Sequence, residues 1–492
     1  MSRVSNVWLK LRQGYRDMAL PAKAGFWFVV CSIVQRGISV ISMPIFTRLM
    51  TTDQYGQYSL YMSWYAIISI VVTLKLYQEV FNKGLSDHGE NRDRYASSQL
   101  GLTLCLGIVF LLVYLLLRNP INALTGLTTE LTVVAIVEGC TGSIVSLWYA
   151  RKRFEYVYRP VVAVTTAISV LSVGLGIVGV YLAPDAYKVL VRALTNAGVP
   201  AIAACACAVS FLRKSGHLFD STEWKRSLGL LLPLLPHYLA LVLLRQTGTI
   251  VIGRFIGDTA AGIYSIGVSA GFFLVLVNDG INSSFVPWLY GRLRDKRFEE
   301  VAPIANLLCL LVVGVNLLLM LLAPEIVFLL AAEEYQAAVW CIPLIAASAV
   351  ASFVYTLFVN VEVYYGKTAY ASTVSIVATI FNVAFNIMLV PMVGYIAAAY
   401  VSGATYLVMA FLHAVFYFRA LKASGNATAK IFDVRVLLLL SVGALVAGIV
   451  CCGLYQIAVL RIGVLALILV LTWAFRDRIA RVLRPMTRKH GK

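Results

Sequence analysis

Fourteen stretches of mostly apolar residues, each near the roughly 20 needed to cross a bilayer, follow one another along the chain with only short polar segments between them. They fall near residues 24–47, 57–79, 97–117, 131–150, 161–183, 189–212, 229–252, 260–283, 302–323, 338–361, 371–392, 395–418, 434–454 and 457–475. In lipid every backbone polar group must be satisfied within the protein, so only helices or a closed barrel qualify. Barrel strands alternate apolar and polar residues, whereas these runs are apolar all round. The expected fold class is therefore all-α: a polytopic membrane protein of about 14 transmembrane helices.

Composition agrees. The 492 residues are 60% hydrophobic and 13% charged, against about 25% charged in a soluble domain. No stretch is polar enough to make a separate soluble domain. A cytosolic enzyme, a disordered scaffold and a disulfide-stapled secreted protein are excluded. The segment 1–23 is polar and basic, so no cleavable signal is expected.

The formal charge is +18, but it lies in short clusters between apolar runs, which argues for topology rather than for a nucleic-acid partner. With the N-terminus cytoplasmic, inner segments carry 31 Lys and Arg, while outer loops carry only Arg48, Arg118, Lys188 and Arg254. Six more (Arg36, Lys75, Arg192, Arg245, Arg435, Arg461) fall inside or at the edges of spans. Both termini are therefore expected to be cytoplasmic. The nine cysteines lie in apolar stretches without metal-ligand spacing, so they read as small hydrophobes and no metal site is expected. Gly174-Leu175-Gly176-Ile177-Val178-Gly179 fits a dinucleotide fingerprint, but it lies inside a span with no strand before it; close helix packing explains it better. No Gly-x-x-x-x-Gly-Lys-Ser/Thr loop is present, so no ATP site and no cofactor is expected.

Two segments echo each other 206 residues apart: Arg48, Gly56, Tyr58 and Ser59 match Arg254, Gly262, Tyr264 and Ser265. Each closes the first span of a set of six and opens the second. The even offset makes this a parallel repeat. The expected organisation is a cytoplasmic segment 1–23, an N-lobe 24–213, a linker 214–228, a C-lobe 229–420, a helix pair 421–476 and a basic tail 477–492. A transporter with its site between lobes follows from such a repeat.

Two groups of residues carry a resemblance. One is Pro44-Ile45-Phe46-Thr47-Arg48-Leu49-Met50 with Tyr55-Gly56-Gln57-Tyr58-Ser59. The other is Tyr364-Tyr365-Gly366-Lys367-Thr368, Asn382, Asn386, Pro391, Gly394-Tyr395 and Ala397-Ala398-Ala399. On these the chain resembles the polysaccharide branch of the multidrug/oligosaccharidyl-lipid/polysaccharide exporter superfamily, the Wzx-like flippases. Ala397 stands where that family usually has glycine. The resemblance implies a flippase, not an enzyme, for undecaprenyl-pyrophosphate-linked oligosaccharide in a prokaryotic inner membrane. It implies contact with membrane lipids, and a polysaccharide polymerase and chain-length regulator as further partners.

Ionisable groups in hydrocarbon cost at least about 2.5–3.5 kcal/mol each, so each needs a partner, a cavity or a function. Arg36, Glu138 and His237 lie near mid-span; Arg245 lies in an outer half; Lys75, Glu79, Asp279 and Glu362 lie toward cytoplasmic ends. Arg36, His237, Arg245 and Lys75 are the expected substrate contacts, with guanidinium suited to pyrophosphate. Glu138, Asp279, Glu362 and Glu79 are the expected ion-coupling groups. A structural Arg36–Glu138 pair and a Lys75–Glu79 pair one helical turn apart are the plainer alternatives. Pro233 and Pro236 are expected to kink the seventh span. Arg48 and Arg254 are expected to close turns. Competing functions are a cell-wall lipid-precursor flippase, a cation-coupled multidrug antiporter, which would want an acidic cavity, and a membrane glycosyltransferase, which would want larger outer loops.

Overall fold

A computed structural model describes residues 18–487. Most of the expected segment 1–23 and the last five residues of the expected tail lie outside the described residues. Among the described residues every regular element is helical. Twelve helices are long and apolar enough to cross a membrane. The two other expected spans are also helices. Thr52–Thr73 carries Tyr55, Tyr58, Tyr61 and Tyr65, which lower its hydropathy, and Ala458–Thr487 opens on the apolar stretch Ala458–Val470.

The chain forms two compact units, residues 1–51 with 61–239, and residues 52–60 with 240–492. The first unit contains α1 (Leu20–Leu49), the larger part of α2 (Thr52–Thr73), α3 (Glu79–Asp87), α4 (Arg92–Leu116), α5 (Arg118–Thr125), α6 (Thr129–Phe154), α7 (Tyr158–Leu182), α8 (Lys188–Leu212), α9 (Ser221–Leu231) and the start of α10 (Leu235–Phe255). Helix ends follow from local chemistry. The Thr128 hydroxyl accepts from the Leu131 amide at 3.4 Å and the Asp220 carboxylate from the Glu223 amide at 3.3 Å, satisfying first-turn donors of α6 and α9. Arg48 donates to the Pro44 carbonyl at 2.8 Å and so closes the last turn of α1, as expected of a turn residue. Pro233 and Pro236, which lack amide hydrogens, turn Leu232–Leu234 into a 3-10 segment between α9 and α10. The core of this unit gathers Phe81, Tyr95, Leu100, Leu147, Trp148 and Phe211.

The expected second span does not run to residue 79. Leu74 and Lys75 take left-handed backbone angles (φ 48° and 55°), ending α2 at Thr73, and Glu79 starts α3. Lys75 and Glu79 thus share no helix, which removes the expected one-turn pairing. Left-handed angles cost a non-glycine residue of order 1–3 kcal/mol each. Burial offsets this cost: Leu74 and Leu76 are both inserted among Val80, Leu102 and Leu231.

The second unit contains α11 (Asp258–Arg294), α12 (Val301–Leu321), α13 (Ala323–Leu330), α14 (Ile342–Tyr364), α15 (Thr368–Val393), α16 (Ile396–Ala423), α17 (Val434–Leu454) and α18 (Ala458–Thr487). Helix α14 is its centre, with 78% of its apolar window buried, and it packs on α11, α12, α16 and α17. Small residues permit this: Ala346, Ala347 and Ala351 on α14, with Ala397, Ala398 and Ala399 on α16. Asn382 and Asn386 lie fully inside, tied to each other and to the Thr405 hydroxyl at 3.1 Å. They are interhelical ties. The helix pair α17–α18 is anchored by Arg461, which grips Glu325 at 2.5 and 2.9 Å and the Leu321 carbonyl at 3.1 Å.

The residues of the sequence echo meet each other within this unit. Ser59 and Ser265 share a hydrogen bond of 2.9 Å. A side chain at Gly56 would strike the backbone of Asp258, and one at Gly262 the backbone of Thr52 and Gly56. Only glycine permits so close a crossing of α2 on α11. Like-on-like contact is what equivalent residues make near an axis relating two copies.

Candidate functional site

Glu138 is the most constrained carboxylate of the first unit. It sits in α6, 4% exposed. The Tyr61 hydroxyl, from α2, donates to one of its oxygens at 2.5 Å, and the Asn196 amide, from α8, donates to the other at 2.7 Å. Arg192, one turn before Asn196 on α8, acts electrostatically on the same carboxylate. Its guanidinium lies over the Phe46 ring at 3.8 Å. The Gly176 surface makes room for it: a side chain there would meet Arg192 at 2.5 Å and Phe46 at 3.2 Å. So Gly176, in the dinucleotide-like run, serves helix packing.

Each oxygen of the carboxylate already faces a donor. Four helices meet here through Phe46, Tyr61, Glu138 and Arg192. Arg36, on α1 and half-buried, is not among the partners of Glu138. The residues that do hold the carboxylate are Tyr61, Asn196 and Arg192. Arg192 was visible in the sequence as a charge within a span; Tyr61 and Asn196 carried no comparable signal.

A second group forms where α3 meets α10. The Tyr238 hydroxyl donates to the exposed Glu79 carboxylate. That carboxylate also acts on the neighbouring half-buried His237. The His237 Nδ1 is buried and makes no hydrogen bond to the described residues. Lys75 lies in the left-handed turn just before α3, half-buried. The structure thus brings Glu79 and His237 together.

In the second unit Glu362 is fully buried. The His413 Nδ1, on α16, lies 3.0 and 3.2 Å from its two oxygens, and His413 is itself 1% exposed. The imidazole stacks on Tyr355 at 5.5 Å, and Tyr355 stacks on Tyr406 at 6.2 Å. Arg245, exposed on α10, acts on Tyr406. His413 was missed in the sequence; the available signal was one histidine inside an apolar run. Asp279 is exposed and makes no hydrogen bond or ion pair with the described residues. Among those residues no group of three or more His, Cys, Asp or Glu could hold a metal ion.

Buried ionisable groups inside long apolar helices mark a polytopic membrane protein in which each such group needs a partner or a function. Solved structures give the fold. A lipid II flippase, MurJ, in an inward closed conformation superposes with TM-score 0.63 at 13% identity, covering 92% of this chain and 99% of that one. An inward-facing multidrug resistance MATE family transporter of the MOP superfamily gives 0.59 at 15% identity, covering 81% and 96%. The chain has the fold of these flippase and transporter structures and is a multi-pass membrane protein. The chain belongs to the polysaccharide biosynthesis protein family, whose model matches residues 22–290. An Lsg locus protein of Haemophilus influenzae is 28% identical over 160 residues, a match spanning 32% of this chain and 40% of that relative's length.

Proposed function

We propose that the protein flips an undecaprenyl-pyrophosphate-linked oligosaccharide from the cytoplasmic to the outer leaflet by alternating access, for surface polysaccharide biosynthesis. One observation carries the substrate class: the match to the polysaccharide biosynthesis family, over residues 22–290, includes every residue of the Glu138 network. In this reading Arg36, Lys75, His237 and Arg245 contact the pyrophosphate and its first sugar, and the lipid tail stays in the bilayer. None of the four is fully buried. Glu138 and Glu362 are the coupling groups, because both are buried carboxylates held by titratable or hydrogen-bonding partners. Asp279 and Glu79 are exposed.

The test is made in cells lacking the protein. Lipid-linked oligosaccharide should build up on the cytoplasmic leaflet, and the wild-type protein should restore export. Arg36→Ala at normal protein level should not. Absence of build-up, with altered resistance to cationic drugs instead, would replace the flippase with an antiporter.

A further inference from the structure

Outside these networks, α11 and α14 end side by side around a cavity of about 400 Å³. Its lining is Pro287, Tyr290, Gly291 and Arg294 from the last two turns of α11, and Tyr364 from the last residue of α14. Those four α11 positions are spaced so that they fall on one helix face. The Tyr290 and Tyr364 rings are 5.2 Å apart at 56°, forming an aromatic wall. Tyr364 is in turn braced edge-on by Tyr365 at 5.1 Å.

Tyrosine and arginine at the ends of spans are the ordinary composition of a membrane interface. Concavity is what differs here: the size falls in the range of small-ligand pockets. So does the hydrogen-bonding character. The lining offers two phenolic hydroxyls and a guanidinium and contains no carboxylate. Asp295, next in sequence, takes only the Nε of Arg294, at 3.1 Å, so the outer nitrogens of that fork face outward on a side chain 76% exposed. The last carbonyls of α11 are closed by the turn itself, with the Lys296 amide bonding Leu293 at 3.2 Å and the Arg297 amide bonding Arg292 at 2.9 Å. They therefore oppose an anion less than open carbonyls would. A guanidinium and two hydroxyls without a carboxylate, beside aromatic and proline surface, match a phosphate joined to an apolar body.

We propose that this cleft binds the phosphate of a membrane-anchored lipid, with Arg294 and the two tyrosine hydroxyls on the phosphate oxygens and Pro287 and the rings on the adjoining chain. The site sits at span ends, where lipid phosphates lie. It does not depend on the flippase reading. The chemistry is shared by bulk anionic phospholipid and by polyprenyl phosphate, and the test separates them.

Native mass spectrometry of the full-length protein would measure retention of phosphatidylglycerol, undecaprenyl phosphate and phosphatidylcholine, with glycerol 1-phosphate as a soluble competitor. Wild type should retain one of the two anionic lipids over phosphatidylcholine, and which one identifies the source. R294Q should lower that preference about fivefold, the effect of one basic residue near an anionic surface. Y290F/Y364F, which keeps both rings, should lower it as well. Equal retention by wild type and both variants would overturn the proposal, and full displacement by glycerol 1-phosphate would show that free phosphate is the ligand.

Discussion

Glu138 and Glu362 are buried in opposite ways. Glu138 is held by neutral donors and a nearby arginine, whereas Glu362 has one titratable partner, His413. Removing one member of a buried pair leaves the other uncompensated, a loss of about 3–5 kcal/mol, whereas replacing both with apolar groups is often neutral. His413→Ala should therefore lower thermal stability strongly, and Glu362→Leu combined with His413→Leu should recover most of it. A thermal-shift series on His413→Leu, Glu362→Leu and the double checks this; a loss in the double equal to the sum of the two single losses would mean the pair is not coupled. At Glu138, Tyr61→Phe removes one donor and should cost about 1–3 kcal/mol. Glu138→Gln should cut transport about tenfold or more while the protein still accumulates, as read by export in cells alongside the amount of protein. The carboxylates were legible in the sequence because a charge in an apolar run must be explained. Their partners were not. Tyrosine, asparagine and histidine occur in membrane helices without a charge to mark them, and spacing does not say which helix faces which.

At the scale of helices, the apolar runs located nearly every span, because hydropathy over 20 residues averages out local detail. The end of α2 escaped this reading. The run through Leu74 and Leu76 continues the apolar pattern while the backbone turns left-handed, and its burial comes from α4 and α9, which are distant in sequence. The crossing of α2 on α11 gives a direct test. Gly56→Val would drive a side chain into the Asp258 backbone, which cannot rotate aside, so a loss of at least about 1–3 kcal/mol is expected. Gly25→Ala, with open space around it, should leave stability unchanged. Comparable thermal midpoints for the two variants would contradict the close crossing. Beyond α6, burial pushes the Glu155 carboxyl up, but Lys152 and Arg151, both at 3.2 Å, outweigh it and hold it below its ordinary value. A depressed carboxyl stabilises the fold above its unfolded value and loses that contribution as pH falls through the folded one. Glu155→Gln should thus lower the thermal midpoint near neutral pH, and the gap from wild type should close as pH falls below about 4. A gap that persists in acid would assign Glu155 a packing role.

For the whole molecule, composition and loop charge gave the membrane class, and a short echo between distant segments pointed to an internal repeat. The contact of Ser59 with Ser265 and of Gly56 with Gly262 gives that echo a physical basis. Substrate class stands on different ground, since helices of this kind look alike whether they carry drugs, cell-wall precursors or glycans. The central claim is that the protein moves a lipid-linked oligosaccharide across the bilayer. The most direct test reconstitutes the purified full-length chain in sealed vesicles with a fluorescent undecaprenyl-pyrophosphate oligosaccharide and follows its accessibility to an external, membrane-impermeant quencher. Wild type should bring the inner-leaflet pool to the quencher much faster than empty vesicles do, and Glu138→Gln should be slow. Equal rates with wild-type protein and with empty vesicles would contradict the account.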